Sequence, residues 1–182
     1  MDKLADIKEL VERAKNYDAE AFGRIYDLYF DKIFNYAYYK VGNRHEAEDI
    51  AEQVFLKALE KISGFEWRGA PFSSWLFRIA SNLVIDYYRA GKYEMVDIAC
   101  EEHSLYDGGC GPEEFAIREH DRASLVSAIK TLTEEQQQVI IMRFISGMSN
   151  EEVAKAISKN VGAVKALQHR AISALGKTLG RE

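Results

Sequence analysis

A chain of 182 residues with 47% hydrophobic content can bury one large core or two small ones, and no run approaches the roughly 18 apolar residues of a membrane span. Only two cysteines and two prolines occur, and alternating β-branched runs are few, which excludes a disulfide scaffold and predicts an all-helical protein. The net charge of −5 conceals an uneven distribution: residues 94–121 hold nine acids and one base, whereas residues 65–93 are net +2 and residues 149–182 net +3.

The first element, MDKLADIKELVERAK, is charged and helix-patterned and has no signal-peptide core, so a cytoplasmic protein without membrane insertion is expected. Phe22, Ile25, Tyr26, Tyr29, Ile33 and Phe34 recur at helical spacing until VGNRHEAEDI interrupts them. Asn43, with Glu46 three residues on, opens a capped helix carrying Ala47, Ile50, Val54, Phe55, Ala58, Leu59 and Ile62. Its exposed side gathers Glu48, Asp49 and Glu52, a solvated charge patch or a docking surface. The turn SGFEWRGAPFSS leads into FSSWLFRIASNLVIDYYR, residues 72–89. On a helix of about 100° per residue, Trp75, Arg78, Asn82, Asp86 and Arg89 fall within a sector of roughly 80°. A narrow ridge of aromatic, cationic and amide groups on an otherwise apolar helix has two readings. It is a solvated stripe, or a nucleic-acid face where bases stack and phosphates pair.

Beyond it lies an acidic connector, placed at about 94–118, containing the loop signal DGGCGPEE. Such a segment cannot bury enough apolar surface to fold alone, so an elongated, two-lobed monomer with a flexible linker is expected. Cys100, His103 and Cys110 sit close together there, but their spacing, with His120 a distant fourth, matches no closed four-ligand set. Soft ligands so close together could hold zinc or sense oxidation; the alternative is ordinary linker residues, and no metal or cofactor is expected.

Two capping boxes, Thr133 to Gln136 and Ser149 to Glu152, open helices of about 134–145 and 150–157. Ser158, Lys159 and Asn160 form a turn, and Asn160 can cap a last helix from Val161. These are the dimensions of a helix-turn-helix, with Val161, Val164, Leu167, Ala171 and Leu175 inward and Lys165, Ala166, His169, Arg170 and Ser173 outward.

Three stretches in register resemble the small, two-domain extracytoplasmic-function sigma factors of bacteria: AEDIAEQVFLKAL (47–59), residues 72–89, and LTEEQQQVIIMRFISGMSNEEVAKAISKNVGAVKALQHRA. The resemblance implies a non-enzymatic transcription-initiation subunit. Residues 1–93 would bind core polymerase and open the minus-ten element, 94–118 would link, and 119–182 would read the minus-thirty-five element. It assigns Asp49, Ile50, Glu52, Gln53 and Phe55 to the polymerase clamp, with the flap a further contact. Phe65, Trp67, Arg68, Trp75, Arg78, Asn82 and Arg89 go to minus-ten DNA, Asn82 at the position that commonly reads a flipped base. Asn160, Lys165, Ala166, His169 and Arg170 go to the minus-thirty-five groove, where cations suit phosphate or guanine and alanine a thymine methyl. It also implies an anti-sigma partner. The sequence departs from the family where Ser158 replaces a usual glycine, where Leu167 replaces a basic residue, and in the order Glu52-Gln53. The competing reading is a helix-turn-helix regulator whose N-terminal half binds a ligand or partner. No nucleophile–base pair, metal motif or phosphate loop supports an enzyme.

Overall fold

The computed structural model describes residues 3–91 and 112–180, giving only the backbone for residues 3–5 and 112–120. Residues 92–111 lie outside the described residues, and with them most of the acidic connector and the Cys100, His103, Cys110 cluster. The chain order is α1 (Lys3–Lys15), α2 (Ala19–Val41), α3 (Arg44–Lys61), a 3-10 turn (Ile62–Gly64), α4 (Phe72–Arg89), α5 (Pro112–Lys130), α6 (Glu134–Ile140), a π turn (Ile141–Ile145), α7 (Asn150–Ala156) and α8 (Val161–Thr178). No strand occurs among the described residues. Helix α5 begins inside the stretch read as connector, before its expected end at 118.

Side-chain caps set most of these boundaries, because the first N–H groups of a helix have no partner within it. Asp18 Oδ1 accepts from the Ala21 amide at 3.0 Å, and Arg13 Nε donates to Asp18 Oδ2 at 2.8 Å. The Ala21 N–H and then the Arg13 guanidinium hold the Asp18 carboxyl below its ordinary value. Helix α2 stops at Gly42, whose φ of 78° suits glycine and lets its N–H reach Tyr38 O. Asn43 caps α3, Asn160 caps α8, and both predicted capping boxes close reciprocally.

Helices α2, α3 and α4 enclose a core of Ile25, Ile33, Tyr36, Val54, Phe72, Leu76 and Phe77, all nearly solvent-free. Helix α1 joins it through Val11 and Ala14. The two helical regions pack against each other. Val126, Ile129, Val139, Ile141, Met142, Met148 and Val153 belong to the same continuous apolar cluster as the α2–α4 core. The N- and C-terminal helices are therefore packed together, α2 on the π turn and α4 on α7. The physical reason is that both halves present apolar groups on the facing sides, and removing them from water is worth about 25 cal/mol per Å².

Polar groups line the same seam. Ser73 Oγ donates to Glu152 Oε1 at 2.6 Å, and Ser74 Oγ to the Glu152 carbonyl at 2.8 Å. Gln138 Nε2 donates to Ser81 Oγ at 3.0 Å. Lys40 is only 3% exposed and donates from Nζ to Gln137 Oε1 at 3.1 Å; loss of water pushes its pKa down.

Candidate nucleic-acid interface

The α4 surface is built by exclusion. Phe72, Leu76, Phe77, Ala80, Leu83 and Val84 go into the core, which leaves Arg78, Asn82, Asp86 and Arg89 exposed along one line. Arg78 Nη2 donates to the Lys155 carbonyl at 2.7 Å and to Ser158 Oγ at 3.3 Å. Asn82 lies beside it in a cleft between the two halves, with Ser81, Gln138, Ile157 and Ser158 as further walls.

The loop before α4 hangs on an aromatic box. Phe65 is buried, with Trp67, Trp75 and Phe72 rings 5.0, 5.2 and 5.3 Å away. Trp75 is half-buried against Phe65 and Phe72, so it anchors the loop from the ridge rather than standing out from it. Trp67 Nε1 donates to Glu12 Oε1 at 3.1 Å, and Arg68, fully at the surface, pairs with Glu66 at 2.8 Å.

On α3, Asp49, Glu52 and Gln53 are at the surface on one face. Ile50 and Phe55 are not: they are 4% and 3% exposed, and Phe55 packs on Tyr26 with ring centroids 4.7 Å apart. Their contribution is to hold the helix, because no partner can touch them while that packing lasts. Leu56, at 59% exposure, takes the apolar place on the outer face instead, and α2 adds the exposed Leu28.

Helix α8 follows its predicted faces. Val164, Leu167 and Ala171 are buried, while Lys165, Ala166, His169 and Arg170 are all exposed. Asn160 Oδ1 accepts from the Ala163 amide at 2.7 Å, so this side chain fixes the helix start at the mouth of that face. Arg170 Nε donates to the Ala166 carbonyl at 3.3 Å, which lays the guanidinium along the helix.

Residues 25–93 match Sigma-70 region 2, and residues 122–175 match Sigma-70, region 4. The ECF RNA polymerase sigma factor SigW of Bacillus subtilis is 34% identical over 181 residues, 95% of this chain and 96% of SigW. The chain belongs to the ECF sigma factors. The ECF RNA polymerase sigma factor BldN of Streptomyces coelicolor is 38% identical over 175 residues, 96% of this chain and 66% of BldN. The sigma factor fold is shared with CnrH as solved in complex with the cytosolic domain of CnrY: TM-score 0.75 at 23% identity, over 97% of this chain and 99% of that one. As a sigma factor the protein acts in transcription initiation and binds DNA. No helix among the described residues is long and apolar enough to cross a membrane.

Within this sigma factor, region 2 supplies α4 and its loop, and region 4 supplies α8. Sequence reasoning missed Leu56, although Asp49, Glu52, Gln53, Leu56 and Glu60 recur at the helical spacing that marks one face. It also missed Glu152, read only as a capping residue. Nothing in the local pattern announces that its carboxylate also serves Ser73, 79 positions away.

Proposed function

We propose that the α4 ridge with the 65–71 loop holds the unpaired minus-ten strand, and that the outer face of α8 reads minus-thirty-five duplex. Within that reading Asn82 takes a flipped base, Arg78 and Arg89 pair phosphates, and Trp67 and Arg68 face the strand from the loop. Lys165, Ala166, His169 and Arg170 enter the major groove. Asp49, Glu52, Gln53 and Leu56 dock on the polymerase clamp, region 4 meets the flap, and residues 94–118 thread between. The protein works in the cytoplasm, where polymerase and DNA are, and an anti-sigma partner covers its polymerase- and DNA-facing surfaces. The observation that carries the reading is the exposure of Arg78 and Asn82 on a helix whose other faces are buried. Capture of a single strand needs cations and hydrogen-bonding groups together at the surface.

Two variants assayed with purified core polymerase test it. Asn82→Ala is expected to impair opening and minus-ten selectivity, and a pre-melted bubble restores the opening alone. Lys165→Ala is expected to lower promoter affinity on duplex and bubble alike, with a salt slope shallower by about one counterion if it meets phosphate. The same response of both variants across promoters and salt would sink the two-face assignment.

A further inference from the structure

The 65–71 loop is fastened at two points, and one of them belongs to a helix outside the matched region 2, which begins at residue 25. Phe65 goes into the aromatic box. Trp67 is held by α1: Glu12 Oε1 accepts its indole N–H at 3.1 Å, and Lys8 Nζ lies 5.9 Å from the ring centroid on its face. We propose that α1 is a positioning brace for promoter reading: Glu12 and Lys8 fix the Trp67 indole and thereby set where Arg68 meets the minus-ten strand. The inference rests on the reading of this loop as DNA-facing.

The parts fit a brace better than chance surface contact. An indole has a single N–H donor, and a carboxylate is a strong, charge-assisted acceptor for it. The Glu12 carboxylate is itself steadied, because Lys15 Nζ reaches its other oxygen at 3.1 Å. Hydrogen bonds from Lys15 and Trp67 hold Glu12 below its ordinary pKa, so the acceptor stays ionised throughout the neutral range. Helix α1 cannot drift with the loop, since Val11 and Ala14 are in the core and Arg13 is paired to Asp18 at the start of α2. Within the loop the Arg68 N–H reaches Glu66 O at 2.9 Å and the Arg68 side chain pairs with Glu66, while Gly69, with φ 69°, follows Arg68 and offers no side chain to pack. Those contacts stay inside the loop; the indole, one residue away, is what ties Arg68 to a helix. Lys8 over the ring adds a cation–π contact and balances the nearby carboxylate.

The test uses the full chain with core polymerase on a promoter library randomised separately in each element. Glu12→Ala is expected to flatten the base preference at one minus-ten position by about 3- to 10-fold, the scale of one lost hydrogen bond. Minus-thirty-five preference should stay as it was. Glu12→Gln keeps an acceptor oxygen and should restore the profile, while Lys8→Ala should give a smaller shift at the same position. In a Trp75→Phe background, Trp67 is the sole tryptophan, and its emission should move to the red in Glu12→Ala but not in Glu12→Gln. An unchanged minus-ten profile in Glu12→Ala, or an equal loss at both elements, overturns the brace. Arg68→Ala on the same library separates the two layers. If it alters the profile while Glu12→Ala does not, only the brace fails; if it alters nothing, the DNA-facing reading of the loop fails and the brace with it.

Discussion

Ser158 sits in the turn between α7 and α8. It stands where the family usually has glycine, and its φ of 56° places it in the left-handed region that L side chains avoid. The strain is retained with one evident local return, since Ser158 Oγ accepts from Arg78 at 3.3 Å. Ser158→Gly should therefore stabilise the chain by about 1 kcal/mol. For a chain of this size that is a rise of roughly 2–4 °C in Tm, read by thermal unfolding. Ser158→Val should move it the other way. The turn itself was legible, because three polar residues between two capped helices leave few conformations. Its partner was not, because Arg78 is 80 positions away and no local pattern links the two.

Among the elements, those with side-chain caps were the most legible. Ser149, Thr133 and Asn160 each begin a helix as predicted, because capping is local chemistry within three residues. The stretch expected as one helix over 134–145 instead changes to a π turn at Ile141, where the Ser146 N–H reaches back to the Ile141 carbonyl at 2.9 Å. That wider turn buries Ile141 and Met142, a demand of packing that hydrophobic spacing does not encode. The α8 start invites a test that separates folding from DNA contact. Asn160→Ala removes the cap and should cost about 1 kcal/mol of stability. Asn160→Asp keeps a capping oxygen at the helix N-terminus, where a negative charge is also favourable, so stability should hold. The same charge at the duplex face should weaken promoter binding several-fold. Equal duplex affinity for Asn160→Asp and the parent would remove Asn160 from the DNA surface and leave it a cap alone.

At the scale of the whole molecule, the two regions share one core, yet the proposed minus-ten face borders their seam. While Arg78 Nη2 serves the Lys155 carbonyl and Ser158, only the other N–H groups of its guanidinium remain for a phosphate, so a strand held by the whole fork requires α4 and α7 to part. The seam is partly polar. Beside the shared apolar cluster it is tied by serine and glutamine hydrogen bonds, about 1 kcal/mol net each and about 1.5–3 for Ser73 on the Glu152 carboxylate, and it burdens itself with the buried Lys40. The acidic connector pointed to two regions, but their contact was not legible, because the joining residues, Ser73, Ser74, Gln138 and Glu152, look individually like surface or capping groups. Ser73→Ala combined with Ser74→Ala should leave each region folded but favour separation, seen as a larger radius of gyration in small-angle scattering. Lys40 gives the opposite lever. Burial lowers its pKa, so the state that exposes Lys40 holds the proton more tightly. The packed state therefore gains stability as pH rises from that lowered value toward the ordinary 10.5, and Lys40→Met should abolish this part of the slope. Scattering from Lys40→Met at neutral pH should be at least as compact as the parent, and an expanded Lys40→Met would mean that its bond to Gln137 outweighs the cost of burying the charge.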